Sequence, residues 1–559
     1  MVAAAALLLL ETRGLTILID EWTWGFGSRT NFDLHAFVDP HNGHFVAVMV
    51  LITKAALQTF HADAAVPLRL LAVLFHLAVA GCLFVLLRRA IGAMGALVPT
   101  VLFLFLGAAN DGIIGSHGMS VTITVLCGLA AWLALSRKGR GWDVLAATLL
   151  TIGVATESTT IPFVLGAAVL IATDTGSRRS RYWVVALPLA VYALWWLAWG
   201  HTGEGNVAVA NFAALPAFAF DSLAASLASM TGVFTVPGSR AVGFDLSAGQ
   251  ALAGGLLVVT LALFLSRGYR PGIASAVPIV ALLSFWILSS GAADPGRVPY
   301  ASRYLYIDVV LLLVVFAQEI AASPARRRGV LVLAGVCGLA LLPNIRELTY
   351  AGDDSRVGAE INRAVMGSAD LVSGEGDSAA LLEEPDDIVA GQVADMAFPL
   401  AQYEASRARF DAPALSLAQI EAAGPNARAA ADHFLVRVLS VGAVPASGPP
   451  SALPPPVAAA QSGGTLRRVR GCVRFTPLVI GAQVSLRIPR GGLWLHPAVG
   501  PPVSIAVARF ADLKTLESGV EVGPVLGGRP SLLKLRPSAL SSGWRAFLVP
   551  DQPLLLCGA

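Results

Sequence analysis

Long apolar runs alternate with short polar gaps through the first two-thirds of this 559-residue chain. Every second gap carries a basic cluster: Arg88-Arg89, Arg137-Lys138 with Arg140, Arg178-Arg179 with Arg181, Arg267 with Arg270, and Arg326-Arg327-Arg328. Short loops rich in Lys and Arg stay on the cytoplasmic side, so the rhythm predicts a multi-pass plasma-membrane protein with a cytoplasmic N-terminus. A crossing takes roughly 20 apolar residues. The runs predict about eleven transmembrane helices, near 2–19, 66–87, 93–109, 118–136, 143–156, 160–174, 182–200, 249–266, 272–290, 303–322 and 329–344. The segments 143–156 and 160–174 are short and read as a tight hairpin or a partly re-entrant pair. Gaps 20–45, 110–116, 157–159, 201–247 and 291–302 then face outward. Phe45–Phe60 is also apolar, but a crossing there would put all the basic clusters outside. It is predicted to be an interfacial or re-entrant helix, with Lys54, His44 and His61 at headgroup level. Glu11 and Arg13 interrupt the first run, each costing roughly 2.5–3.5 kcal/mol in hydrocarbon, and either pair or face the bundle. Met1–Leu10 has no basic n-region and is not read as a removable signal.

Beyond Leu342 the pattern changes, and four regions follow: a transmembrane domain over 1–344, an extracytoplasmic helical region over 345–440, a Pro/Gly/Ala-rich linker over 441–464, and a β domain over 465–559. Helices are expected at Ser355–Met366 and Arg428–Leu439, and Pro454-Pro455-Pro456 stiffens the linker. In the last region Val484, Leu486, Ile488 and then Val503, Ile505, Val507 alternate with small or polar residues, which predicts a small all-β sandwich or jelly roll. Trp494 and Trp544 either fill its core or offer a sugar-stacking face. Cys472 and Cys557 bracket it; in an oxidising exterior a disulfide between them would add roughly 2–5 kcal/mol.

Composition agrees with the class. Mean hydropathy is +0.69. Charged residues make up 13%, about half the usual share of a soluble domain. The net charge of +3 is small and divided by topology, so it argues against a nucleic-acid partner.

The densest polar chemistry stands in the outward gaps. Asp20-Glu21-Trp22 follows the first run, and His41-Asn42-Gly43-His44 closes the same loop. Adjacent carboxylates at a membrane lip either end a helix or serve as a base toward an acceptor hydroxyl. Arg303, between Tyr300 and Tyr304, either snorkels or clamps a lipid phosphate, and the tyrosines belt the interface or stack on a sugar. Asp111 is a helix cap or a further site carboxylate. His41, Asn42 and His44 suit a polar loop or an acceptor contact, because their spacing matches no zinc signature. Glu157 reads as a hairpin tip or a partner for a cation.

The Asp-Glu dipeptide after the first span, the long first external loop and the membrane-hugging helix resemble the GT-C glycosyltransferases, which include protein O-mannosyltransferases and the lipid A aminoarabinose transferases. The Asp-Glu-Trp and His-Asn-x-His elements and the β-rich tail look more like a group of actinobacterial membrane proteins. The resemblance implies a GT-C-like fold and a polyprenyl-phosphate sugar donor. It makes Asp20 the base or a ligand of a divalent cation (Mg²⁺ or Mn²⁺), with Glu21 as its neighbour and Asp111 as a further cation carboxylate. The second carboxylate of an Asp-x-Asp pair is absent.

The leading expectation is an inverting transferase acting on a cell-envelope glycan, lipid or protein at the outer face of the bilayer. A non-catalytic envelope scaffold that binds glycan is the alternative. A transporter or flippase fits less well, because outside Glu11 and Arg13 the charges gather at interfaces.

Overall fold

The computed structural model describes all residues except 17–20, 22–23, 25–32, 175–177, 203–207, 235–244, 268–270, 293–297, 374–380, 383–397, 447–456, 536–539, 541 and 559. Asp20, Trp22, Arg270 and the triple proline therefore lie outside the described residues. Two compact units emerge, Met1–Arg356 and Val357–Ala559.

The first unit is a helical bundle: α1 (Val2–Glu11), α2 (Leu34–Val38), α3 (Ala47–Phe60), α4 (Ala65–Leu104), α5 (Met119–Leu135), α6 (Arg140–Val154), α7 (Ile161–Thr173), α8 (Trp183–Ala198), α9 (Leu215–Thr231), α10 (Ser247–Arg267), α11 (Ile273–Gly291), α12 (Ser302–Ala322) and α13 (Arg326–Leu371). Among the described residues, six helical stretches are long and apolar enough to cross a membrane; α5, α7, α8 and α1 are shorter apolar helices. The two expected spans at 66–87 and 93–109 are one helix broken at Gly92, whose φ of 80° only glycine adopts freely. The first expected span shrinks to the ten residues of α1. Its Glu11 does not pair with Arg13. It is buried and meets Arg356, which also donates to the Glu11 carbonyl at 2.7 Å.

The bundle has two chemically different ends. At one, basic side chains gather at helix ends, and two of them donate to carbonyls that lack intrahelical donors. Arg89 donates to Ser136 Oγ at 2.6 Å, Arg181 to the Leu135 carbonyl at 2.9 Å, and Arg326 to the Ala90 carbonyl at 2.8 Å. The other end collects the 107–118 loop, the α6–α7 turn and the start of α12.

Helix α9 corrects the reading of 201–247 as a plain external loop. Just before it, Ala208 and Asn211 donate to the Gly291 carbonyl at the end of α11 (3.1 and 3.0 Å). In the first turn of α9, the Phe218 ring lies 6.5 Å from that of Tyr304 at the start of α12. At its far end the Ser229 carbonyl accepts from Asn344 at 2.9 Å, and Asn344 also accepts from Ala108. Both ends of α9 thus touch the same end of the bundle. Although long and apolar enough to cross a membrane, it lies along that end. Its buried Ser222, Ser226 and Ser229 allow close approach, and the last two return their hydroxyls to carbonyls four residues back. The last expected span overruns its predicted end at 344: α13 carries Pro343 in its interior and continues to Leu371.

In the second unit, α14 (Leu400–Phe410), α15 (Leu417–Ala422) and α16 (Pro425–Val438) precede two antiparallel sheets. One has six strands in the order 442–445, 531–534, 493–497, 554–558, 472–477, 464–469; the other has five, 520–521, 504–508, 545–549, 483–487, 457–462. Two stretches expected to be linker, 442–445 and 457–462, are strands in these sheets. Their small residues carry no alternation to read. Cys472 and Cys557 form a disulfide with Cα atoms 4.4 Å apart. Trp494 and Trp544 are buried, at 3% and 1% exposure, which removes the stacking-face alternative.

Candidate functional site

Arg303 heads α12 at the end opposite the basic clusters, and its side chain stays accessible. The charges of Asp111 and Glu157 act on its guanidinium, which also donates to the Tyr304 phenol and lies 5.4 Å from that ring's centroid. The charges of two residues from separate expected outer gaps thus act on a third at the start of a late span.

Close packing sets each of these positions. The Asp111 backbone N–H donates to Ser302 Oγ at 3.0 Å, joining its loop directly to the start of α12. A Cβ at Gly118 would stand 1.9 Å from the Asp111 carbonyl oxygen, and one at Gly112 would stand 2.8 Å from the Tyr306 ring. Only glycine permits that approach. Helix α12 is pinned on two sides within the bundle: Tyr306 and His76 Nδ1 are hydrogen-bonded at 2.9 Å, while Trp286 donates to Asp308 at 3.0 Å. His76 and Asp308 are fully buried, so polar groups inside the bundle extend beyond Glu11, whereas Arg13 is exposed. Their contacts join α12 to α4 and α11.

Glu157 leads the 3₁₀ turn Ser158–Thr160 between α6 and α7. Ser158 is hydrogen-bonded to His44 Nδ1 and to Tyr192. Val48 at the start of α3 donates to the Ala155 carbonyl at 3.1 Å. The first loop is therefore fastened to the residues beside Glu157. Trp195 completes the attachment, stacking on Phe45 at 5.0 Å and donating to the Val38 carbonyl at 2.6 Å.

Within that loop His41 and His44 exchange both backbone hydrogen bonds across Asn42 and Gly43, whose φ values are 49° and 77°. That is a two-residue hairpin turn of the type Asn-Gly favours. It separates the histidines: His44 faces Ser158, while His41 lies edge-on to Trp24 at 5.5 Å. Tyr300 is half-buried near the start of α12. Glu21 is fully buried, and its charge acts on Arg69 rather than Arg303. Lys54, expected at headgroup level, is also fully buried, because the spacing of Val50, Lys54 and Leu57 turns one face of α3 inward. Its Nζ lies 5.7 Å from the Phe37 ring.

The resemblance implies a divalent cation held by Asp20 and Asp111, and Asp20 lies outside the described residues. Among the described residues no group of three His, Cys, Asp or Glu could hold a metal, and the charge of Asp111 acts on the Arg303 guanidinium.

No family model matches the chain, and no curated protein matches it. Among solved structures it is similar to ArnT from Cupriavidus metallidurans bound to undecaprenyl phosphate, at 16% identity and a TM-score of 0.40, over 74% of this chain and 84% of that one. The apo state of ArnT gives 16% and 0.40 over 75% and 89%. The mycobacterial arabinofuranosyltransferase AftD gives 12% and 0.26, over 100% of this chain and 61% of that one. Likenesses this distant leave the activity to be argued from the residues.

Sequence reasoning missed Ser158, Tyr192, Ser302 and Asn344, which position the cluster. Polar residues beside apolar runs carry no periodic signal. The Asn-Gly pair between two histidines was a usable one.

Proposed function

We propose that the chain is a membrane glycosyltransferase that moves a sugar from a polyprenyl-phosphate donor to a cell-envelope acceptor outside the plasma membrane. The observation that carries this reading is Arg303: an accessible guanidinium at the head of a pinned helix, under the charges of two carboxylates, at the end away from the basic clusters. A planar fork suits a phosphate better than a point charge does. Arg303, with Tyr304 and Tyr300, holds the donor phosphate. Asp20, tuned by Glu21, takes the acceptor proton, while His41, Asn42 and His44 line the acceptor's approach. The acceptor oxygen bonds to the anomeric carbon as the bond from that carbon to the phosphate oxygen breaks. The electron pair leaves with the polyprenyl phosphate, neutralised by Arg303, and the proton goes to the base. In this orientation the basic end faces the cytoplasm, and the second unit, with its disulfide, lies in the oxidising exterior.

The test is transfer from a radiolabelled polyprenyl-phosphate sugar in membranes holding equal amounts of each variant. Asp20→Asn should cost on the order of 10²–10⁴ in rate, and Arg303→Lys should raise the donor KM more than it lowers kcat. Full activity in Asp20→Asn would remove the assigned base. No transfer by the wild type across a broad donor and acceptor panel would overturn the reading and favour the envelope scaffold.

A further inference from the structure

A polar cavity stands at the basic end of the bundle, apart from the Arg303 cluster. It encloses about 690 Å³ between the α5–α6 turn and the segment leading into α8, within the roughly 300–1,000 Å³ of small-ligand sites. Its floor is built. Arg181, 7% exposed, donates to Asp143 at 2.7 and 2.9 Å and to Asp174 at 3.0 Å, so its charge is consumed inside the protein. Lys138 and Arg140 stand exposed at the rim. Three cations against two carboxylates leave the lining with one net positive charge.

The surroundings place the cavity at a membrane interface. Trp183 lines it at 39% exposure, Tyr182 beside it is 43% exposed and Trp142 36%. Exposed Trp and Tyr side chains settle where hydrocarbon meets headgroups. The Trp142 ring also carries the guanidinium of Arg137, 4.3 Å from its centroid, which holds that cation to the protein surface. A polar cavity with one surplus positive charge, rimmed by amphipathic aromatics, matches a single phosphodiester whose acyl chains remain in the bilayer.

We infer that this cavity binds the headgroup of a monoanionic phospholipid, one per chain, through Lys138 and Arg140. The test uses the full-length protein in nanodiscs of phosphatidylcholine with increasing phosphatidylglycerol, and native mass spectrometry to count retained lipid. Lys138→Gln/Arg140→Gln changes only exposed side chains and leaves the Arg181 floor intact. Wild type should keep one phosphatidylglycerol. The double variant should bind it roughly 30-fold more weakly, each basic side chain near an anionic surface contributing about fivefold. Arg327→Gln/Arg328→Gln, elsewhere on the basic end, should retain it as wild type does. Equal loss in both double variants would mean diffuse attraction, and undiminished binding in the first would empty the site; either overturns the proposal. Displacement of the lipid by millimolar inorganic phosphate would assign the cavity to a soluble anion and overturn it too.

Discussion

Asp432 in the second unit illustrates how a single side chain organises local structure without leaving a trace in sequence. On α16, fully buried, it accepts from the backbone N–H groups of Arg509, Phe510 and Ala511 at 2.8–3.1 Å. Burial pushes its carboxyl up to about 6, against the opposing pull of those three N–H groups and of Arg545. A carboxyl held above its unfolded value of about 3.9 adds stability that is complete below that pH and is lost as pH rises through its folded value. The loss should be roughly 3 kcal/mol. Hydrogen exchange at residues 509–511, corrected for intrinsic rates, should therefore lose protection between pH 4 and 7 in wild type, whereas Asp432→Asn should not show this loss. The same pH profile in both would contradict it. No pattern announces such a residue, because its partners are main-chain groups distant in sequence. Arg303 was legible for the opposite reason: an arginine flanked by tyrosines at the head of an apolar run has few roles. Lys54 misled, since α3 could be read as amphipathic only once the buried face was known.

At the level of elements, apolar length located most helices, and the breaks came from local chemistry. Gly92 divides α4 near the basic pair Arg88-Arg89, where a turn was expected. The change of composition beyond Leu342 did not end α13, which carries Pro343 in its interior. Helix α9 escaped because its Ala/Ser-rich surface has weak hydropathy, although small residues are what lets it lie against α10, α11 and α12. The 107–118 loop is the element on which the site most depends. Gly118→Ala places a methyl against the Asp111 carbonyl and should cost roughly 1–3 kcal/mol, lowering the Tm and displacing Asp111 from Arg303. Gly141→Ala, where the added carbon meets open space, should not destabilise. Differential scanning of purified proteins checks both, and a wild-type Tm for Gly118→Ala would show that the loop is not held as described.

For the whole molecule, the alternation of basic gaps was the most informative feature of the sequence, and the contacts of Arg89, Arg181 and Arg326 give it a physical basis. One end of the bundle is positive and caps its own helices. The other gathers an accessible arginine, two carboxylates and an anchored first loop. The central claim is that a lipid-linked phosphate docks at this second end. A polyprenyl phosphate carrying a photoreactive group beside the phosphate tests it most directly, with cross-linked peptides identified after irradiation in membranes. The account predicts labelling within residues 107–118, 155–160 or 298–306, competed by unlabelled polyprenyl phosphate and sharply reduced in Arg303→Gln. Labelling confined to the basic end, around residues 136–143 or 326–330, or unchanged by Arg303→Gln, would contradict it.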